Sequence, residues 1–321
     1  MQVLRSWESV QLAGVILTIG NFDGVHRGHQ AILAAGRRRA DAASCPLVAM
    51  TFDPHPLAVL TPDHVPPMLT PTDEKLRLFQ QAGVDIAVLV TATPDFLQMA
   101  PATFMERVIV ARFAPRAIVE GASFRFGHGR QGDVATLRQA AGRGGFEVEV
   151  VEPVRIALGG HPDAVISSSL IRQLLANGTV DQAALCLGRP YALIGCVAHG
   201  AGRGHSLGFP TANVQVTGQL TPAEGVYAGV GVLEAGRFAA AVSIGRNATF
   251  REQELAVEAH LLGFEGDLYD RPIRLELLDW IRPHRQFAAP EKLGCQIRAD
   301  LDAVRQAVAD REPDPPSVTP G

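Results

Sequence analysis

Thr18-Ile19-Gly20-Asn21-Phe22-Asp23-Gly24-Val25-His26-Arg27-Gly28-His29-Gln30-Ala31-Ile32-Leu33 continues an apolar run that begins at Val15, and from Gln30 onward its residues are of helical character. The order is strand, glycine turn, helix. Backbone N–H groups in the first helical turn lack partners within the helix, and the helix dipole adds partial positive charge, so such a turn receives a phosphate. His26 and His29 stand three apart in this turn and share one face, where both rings can donate hydrogen bonds to charge developing on a phosphate oxygen. A solvated helix start would account for either histidine alone; the pair points to phosphate chemistry. Zinc ligation by the pair wants a third ligand, for which the neighbourhood offers only Asp23. Lys75 and Lys292 are the only lysines and neither follows a glycine-rich loop, which excludes a P-loop lysine mechanism.

Working outward, 321 residues are enough for two domains, and 47% apolar with 19% charged residues is ordinary for a globular protein. A net charge of -4 gives no basic footprint, which argues against nucleic acid as a partner and assigns the arginines to small anions. Cys45, Cys186, Cys196 and Cys295 form no C-x-x-C pair, which fits reduced, buried thiols in a cytoplasmic protein. No apolar run approaches the ~18 residues of a membrane helix, and no membrane partner is expected.

The apolar run 46–52 ends at Asp53-Pro54-His55-Pro56 and reads as a second buried strand. Residues 71–82 and 101–112 read as helices, and 86–90, 117–120 and 146–151 as strands. Alternation of this kind predicts an α/β unit, a doubly wound parallel sheet whose ligands bind beyond the carboxyl ends of the strands, where Gly20, Asp53 and Gly121 fall. Residues 121–133, with Phe124, Arg125, Phe126 and four glycines, suit a mobile loop over an anionic aromatic ligand and equally a plain surface loop. Ser167, Ser168 and Ser169 open a helix; one caps it, leaving another hydroxyl and Arg172 to meet a phosphate.

A helix over 180–187 stops at Gly188-Arg189-Pro190, and the periodicity then changes, which puts the domain boundary at 187/188. Beyond it the short β-prone runs 192–198, 226–232, 239–244, 256–262 and 273–280 predict a small closed β-barrel. Leu293, Ile297, Leu301 and Val304 place a C-terminal helix against it, and residues 310–321 read as a disordered tail. Gly202 and Gly204 precede Thr211 and Asn213, either as a plain hairpin turn or as a phosphate-cradling backbone. The oxygens of Thr211 and Asn213 suit Mg²⁺, and Glu258 on an alternating run could accept a hydroxyl proton.

His26-Arg27-Gly28-His29 closely resembles the signature of the nucleotidylyltransferase superfamily. Together with Leu187-Gly188-Arg189-Pro190-Tyr191 and Leu207-Gly208-Phe209-Pro210-Thr211-Ala212-Asn213, it resembles the bacterial bifunctional riboflavin kinase/FAD synthetase family over about residues 12–308. The resemblance implies an adenylyltransferase domain over 1–187 and a kinase domain over 188–309. Riboflavin and ATP would give FMN, and FMN and ATP would give FAD and pyrophosphate, both with Mg²⁺. His26, His29, Arg172 and Glu258 would be catalytic. Gly20, Phe22, Asp23, Gly24, Gly28 and Ser168 would hold the first nucleotide, and Gly202, Gly204, Thr211 and Asn213 the second. Thr211 and Asn213 would carry the metal; Asp53, Ser123, Phe124, Arg125 and Phe126 would face the flavin. The sequence departs from the family pattern at Ser123 (usually Asp or Asn), Ala248 (Pro), Gly263 (Asp) and Asp270 (Gly). Those departures leave open a kinase-only or altered-substrate paralogue, or a flavin or nucleotide sensor. Oligomeric state is not legible.

Overall fold

The computed structural model describes residues 1–199, 209–246, 255–285, 287 and 290–311. Contacts divide the chain into two compact units, Met1–Ser168 and Ser169–Gly321. Ala248, Gly202, Gly204 and residues 312–321 of the expected tail lie outside the described residues.

The first unit is built on six parallel strands in the order β1 (Gln2–Leu4), β4 (Ile86–Val90), β3 (Leu47–Phe52), β2 (Ile16–Ile19), β5 (Ala117–Gly121) and β8 (Glu147–Val151). Ile16–Ile19 and Ile86–Val90 are buried throughout, as a sheet covered on both faces requires. Neighbouring residues serve opposite cores: Leu17, Met50 and Val88 pack with Phe104 and Phe113, while Ile16, Ala49 and Ala87 pack with Leu33 and Phe79. The helices Arg27–Ala43 and Thr72–Gln81 supply crossovers, the second within one residue of its expected ends.

The helix expected over 101–112 is present but turns π-helical over Met105–Val110. The stretch read as a loop over 121–133 forms a short antiparallel ladder of β6 (Arg125–Phe126) and β7 (Gly132–Asp133). A helix at Val134–Gly144, capped by the Asp133 carboxylate accepting from Thr136 N at 2.8 Å, and a hairpin of β9 (Arg155–Leu158) and β10 (His161–Val165) were not expected.

Strand order reverses between β2 and β5, the switch point at which open α/β sheets bind ligands. The β2–β5 ladder pairs Ile16 with Ala117 and Leu17 with Ile118 and stops there. Beyond it Glu120, 2% exposed, accepts from Ile19 N at 2.6 Å.

The second unit carries the helices Ser168–Ala176, from its second residue, and Val180–Leu187, then a closed antiparallel barrel. Its order is β11 (Tyr191–Ala198), β12 (Ala212–Val216), β15 (Leu255–Leu261), β14 (Gly236–Arg246), β13 (Gly225–Leu233) and β16 (Pro272–Arg282), with β11 and β16 closing it. Gly188 ends the preceding helix at φ 72 as expected, although the division by contacts falls earlier, at Ser168/Ser169. The C-terminal helix Pro290–Ala309 packs on β13, β14 and β16. Leu301 and Val304 are buried in that packing, and Leu293, Ile297 and Leu301 line a cavity. The expectation of buried thiols holds for Cys186 alone, since Cys196 and Cys295 are exposed. No described helix is long and apolar enough to cross a membrane.

Burial pushes the Glu120 carboxyl well above the ordinary range, its bond from Ile19 N opposing the shift. A raised folded-state value means that the unfolded chain ionises first, so stability falls as pH rises from the unfolded value through the folded one. Glu120→Gln keeps the acceptor and cannot ionise. Its melting temperature should exceed that of the wild type by about 3 °C at pH 8 and match it near pH 4.5. An equal difference at both pH values would contradict this account.

Candidate active sites

In the first unit the Gly20–Gly28 turn is held by Asp23. Its carboxylate, 6% exposed, accepts from Leu69 N at 2.9 and 3.1 Å and from Thr70 N at 3.1 Å, and its carbonyl accepts from Ser168 Oγ at 2.8 Å. Phe22 and Val25 sit at φ 48 and φ 40, and Gly24 at φ 88. A β-branched residue at positive φ is strained, and such strain persists only where surrounding bonds over-determine it. Val25 N bonds to Phe22 O at 3.1 Å, and Gln30 Nε2 donates to Val25 O at 2.8 Å. The Phe22 ring anchors the turn edge-on between His29 and Phe79, each 5.2 Å away.

His26 is the N-cap of the helix Arg27–Ala43, its Nδ1 accepting from His29 N at 3.3 Å. The two imidazoles stack with centroids 3.6 Å apart and planes 17° apart, so the pair shares one face as the spacing predicts. A side chain at Gly28 would meet the His26 ring at 3.1 Å, which explains the glycine there. Burial, with smaller contributions from His26 and the Lys75 ammonium, holds the His29 imidazole well below its ordinary value. His29 is therefore neutral at pH 7 and can offer one N–H to a phosphate oxygen without a full charge.

Gly20 lies at the carboxyl end of β2, bonded to Met50 O at 3.0 Å, and Asp53 follows β3 half-buried. Ser123 and Arg125 are exposed. Phe124 stacks on Phe126 with centroids 5.5 Å apart, and Phe126 is itself buried against Phe104, so that ring belongs to the core. Arg172 lies in the second unit, one helical turn after Ser168.

On the barrel, one row of side chains crosses three strands, Asn213 paired with Glu258 and Glu258 with Ser243. Directly paired residues share a face. That face borders a cavity of about 500 Å³ lined by Thr211, Ser243, Glu258, His260, Arg282 and Phe287. Arg282 grips Asp300 of the C-terminal helix in a two-pronged pair, Nε to Oδ1 at 2.9 Å and Nη2 to Oδ2 at 2.7 Å, and Gln296 Nε2 adds 2.8 Å to Oδ1. The Arg282 guanidinium lies 5.9 Å over Phe287. Thr211 and Asn213 bring neutral oxygens beside the Glu258 carboxylate, a donor set that fits a hard cation sharing its shell with water and phosphate. Among the described residues no group of three or more His, Cys, Asp or Glu is placed to hold a metal. Asp270, where the family pattern has Gly, stands at φ 59, a conformation Asp tolerates better than most side chains, and Gly263 stands at φ 72.

A switch-point α/β unit with a histidine pair on its first turn, followed by a closed barrel with a cavity beside a carboxylate, defines a two-domain phosphoryl- and nucleotidyl-transfer enzyme. The FAD synthetase model matches residues 9–169 and the riboflavin kinase model residues 187–308. The bifunctional riboflavin kinase/FMN adenylyltransferase of Escherichia coli K12 is 36% identical over 311 residues, covering 95% of this chain and 97% of the relative. Its Bacillus subtilis counterpart is 32% identical, covering 90% and 92%. This chain belongs to the bifunctional riboflavin kinase/FMN adenylyltransferase family. A solved structure described as a macrolide-efflux protein from Streptococcus pneumoniae matches with a TM-score of 0.84 at 27% identity, covering 94% of this chain and 98% of that one.

The clamp on the turn is testable. Asp23→Ala removes the carboxylate that accepts from two buried N–H groups, which should cost the first unit about 2–4 kcal/mol in denaturant unfolding. A change below about 1 kcal/mol would contradict the role given to Asp23.

Proposed function

We infer that the chain phosphorylates riboflavin to FMN with ATP on the barrel and adenylylates FMN to FAD on the α/β unit, releasing pyrophosphate. The observation that carries this reading is the pairing of two sites in one family-assigned chain: stacked histidines on a strained helix start, and a polar row with the Glu258 carboxylate at its centre beside a cavity. We assign the functional domains to 1–187 and 188–309 and place the protein in the cytoplasm, acting on flavin and ATP without nucleic acid or membrane partners.

In adenylyl transfer the helix start and the neutral His29, with His26 beside it, stabilise charge developing at the α-phosphorus as the FMN phosphate attacks. Gly20, Phe22, Asp23, Gly24, Gly28 and Ser168 shape the nucleotide's seat, Arg172 adds a cation from the helix that Ser168 opens, and Asp53, Ser123, Phe124 and Arg125 border the flavin. A preorganised donor of this kind lowers the barrier by about 3 kcal/mol. In the kinase Glu258 takes the proton of the ribityl hydroxyl as it attacks the γ-phosphorus, and the cavity between barrel and C-terminal helix holds the flavin. Thr211 and Asn213 would hold Mg²⁺, which when bound neutralises triphosphate charge.

His29→Ala should lower FAD formation from FMN by about two orders of magnitude and spare FMN formation, while Glu258→Gln should do the reverse. Product separation after incubation with each flavin checks both. Loss of both activities in a folded variant would overturn the assignment of one reaction to each domain.

The kinase-only reading draws on the exposed Ser123 hydroxyl, which cannot reproduce a carboxylate or an amide. If Ser123 makes a weakened version of the family's hydrogen bond, Ser123→Asn should raise adenylylation about three- to thirtyfold without altering the kinase. No FAD before or after the change would favour the kinase-only enzyme, and a fall from substantial activity would show a loop rebuilt around serine.

A further inference from the structure

We propose that Lys75 is a phosphate-binding residue of the adenylyl-transfer site, its ammonium donating to an anionic oxygen of the bound substrates. This rests on adenylyl transfer being the first unit's activity.

Lys75 sits in the first turn of the helix Thr72–Gln81 and is only 7% exposed. An ammonium carries three N–H donors, and burial without acceptors is costly. Among the described residues Nζ has one hydrogen-bond partner, Thr51 Oγ1 at 3.4 Å, beyond the ordinary range. Thr51 Oγ1 in turn donates to Asn21 O at 3.2 Å. That contact places the ammonium against the carboxyl ends of β2 and β3, where the glycine turn leaves the sheet.

Two carboxylates lie within electrostatic reach, Asp23 and Asp53, and neither accepts a hydrogen bond from Nζ. Asp23 has its oxygens on Leu69 N and Thr70 N. Desolvation lowers the proton affinity of Lys75, and the two carboxylate charges oppose that shift. The same ammonium is felt by the His29 imidazole of the stacked pair.

A methionine would fill this volume with no donor to satisfy. A lysine held here with its donors under-used has the form expected of a site completed by an anion, and the anions of this reaction are phosphates. The sequence excludes a lysine in the glycine-rich loop itself; the fold brings one beside that loop from a helix some fifty residues later.

The test uses Lys75→Met in the full chain, with unfolding midpoint, FMN adenylylation and riboflavin phosphorylation measured on the same preparation. The expected result is a midpoint unchanged or raised, kcat/KM for FMN adenylylation lower by about thirtyfold or more, and riboflavin phosphorylation within about twofold of wild type. A midpoint lowered by more than about 5 °C would show that the ammonium holds the fold together and would overturn the proposal. So would adenylylation within about twofold of wild type. A wild-type protein that makes no FAD would instead sink the functional reading, and this proposal with it.

Discussion

The first unit depends on a single carboxylate. Asp23 accepts from two backbone N–H groups that lie 46 and 47 residues further along the chain, and in doing so ties the first turn of the sheet to the segment that leads into the helix Thr72–Gln81. Phe22 and Val25 occupy positive φ because this clamp, the Ser168 hydroxyl and the Gln30 amide fix the chain on both sides of them. Strain of that kind costs of order 1–3 kcal/mol per residue and is stable only within such a frame. What it secures is geometric: the helix Arg27–Ala43 begins, with the positive end of its dipole and two stacked imidazoles, at the switch point of the sheet.

The two proposed sites would meet the problem of phosphate charge differently. In the α/β unit, burial keeps His29 neutral, so in the proposed reaction the histidine would act as a dipolar donor while the helix start and cationic side chains supply positive character. On the barrel the proposed site stands on a row fixed by strand register, Asn213 to Glu258 to Ser243, and the Arg282–Asp300 pair ties the C-terminal helix to the strand beside the cavity. Register sets the spacing of that row with no need for a strained backbone.

What the sequence could disclose followed from local physics. β2, β3 and β4 are apolar runs because their faces are both covered, and Gly188 ends its helix because only a residue tolerant of φ 72 fits there. β12 was missed because Ala-Asn-Val-Gln-Val is short, half polar and adjacent to a glycine-rich stretch. The helix Val134–Gly144 was missed because its two arginines and two glycines blur its apolar stripe, although Asp133 three residues before Thr136 is a capping signal. Phe126 looked available to a ligand by composition, and only the packing against Phe104 assigns it to the core. The Asp23 clamp, Lys75 beneath the turn and Arg282 with Asp300 join residues 18 to 47 positions apart, and no periodicity marks such pairs.

The central claim is that one chain moves two different phosphorus atoms of ATP to flavin on two separate sites. The direct measurement incubates the purified full chain with riboflavin, Mg²⁺ and ATP labelled at either the α or the γ phosphorus, and follows the label into the separated flavins. The account predicts γ label in FMN and in FAD, and α label in FAD alone. Label from the α phosphorus in FMN, or FMN accumulating with no FAD from either ATP, would contradict it.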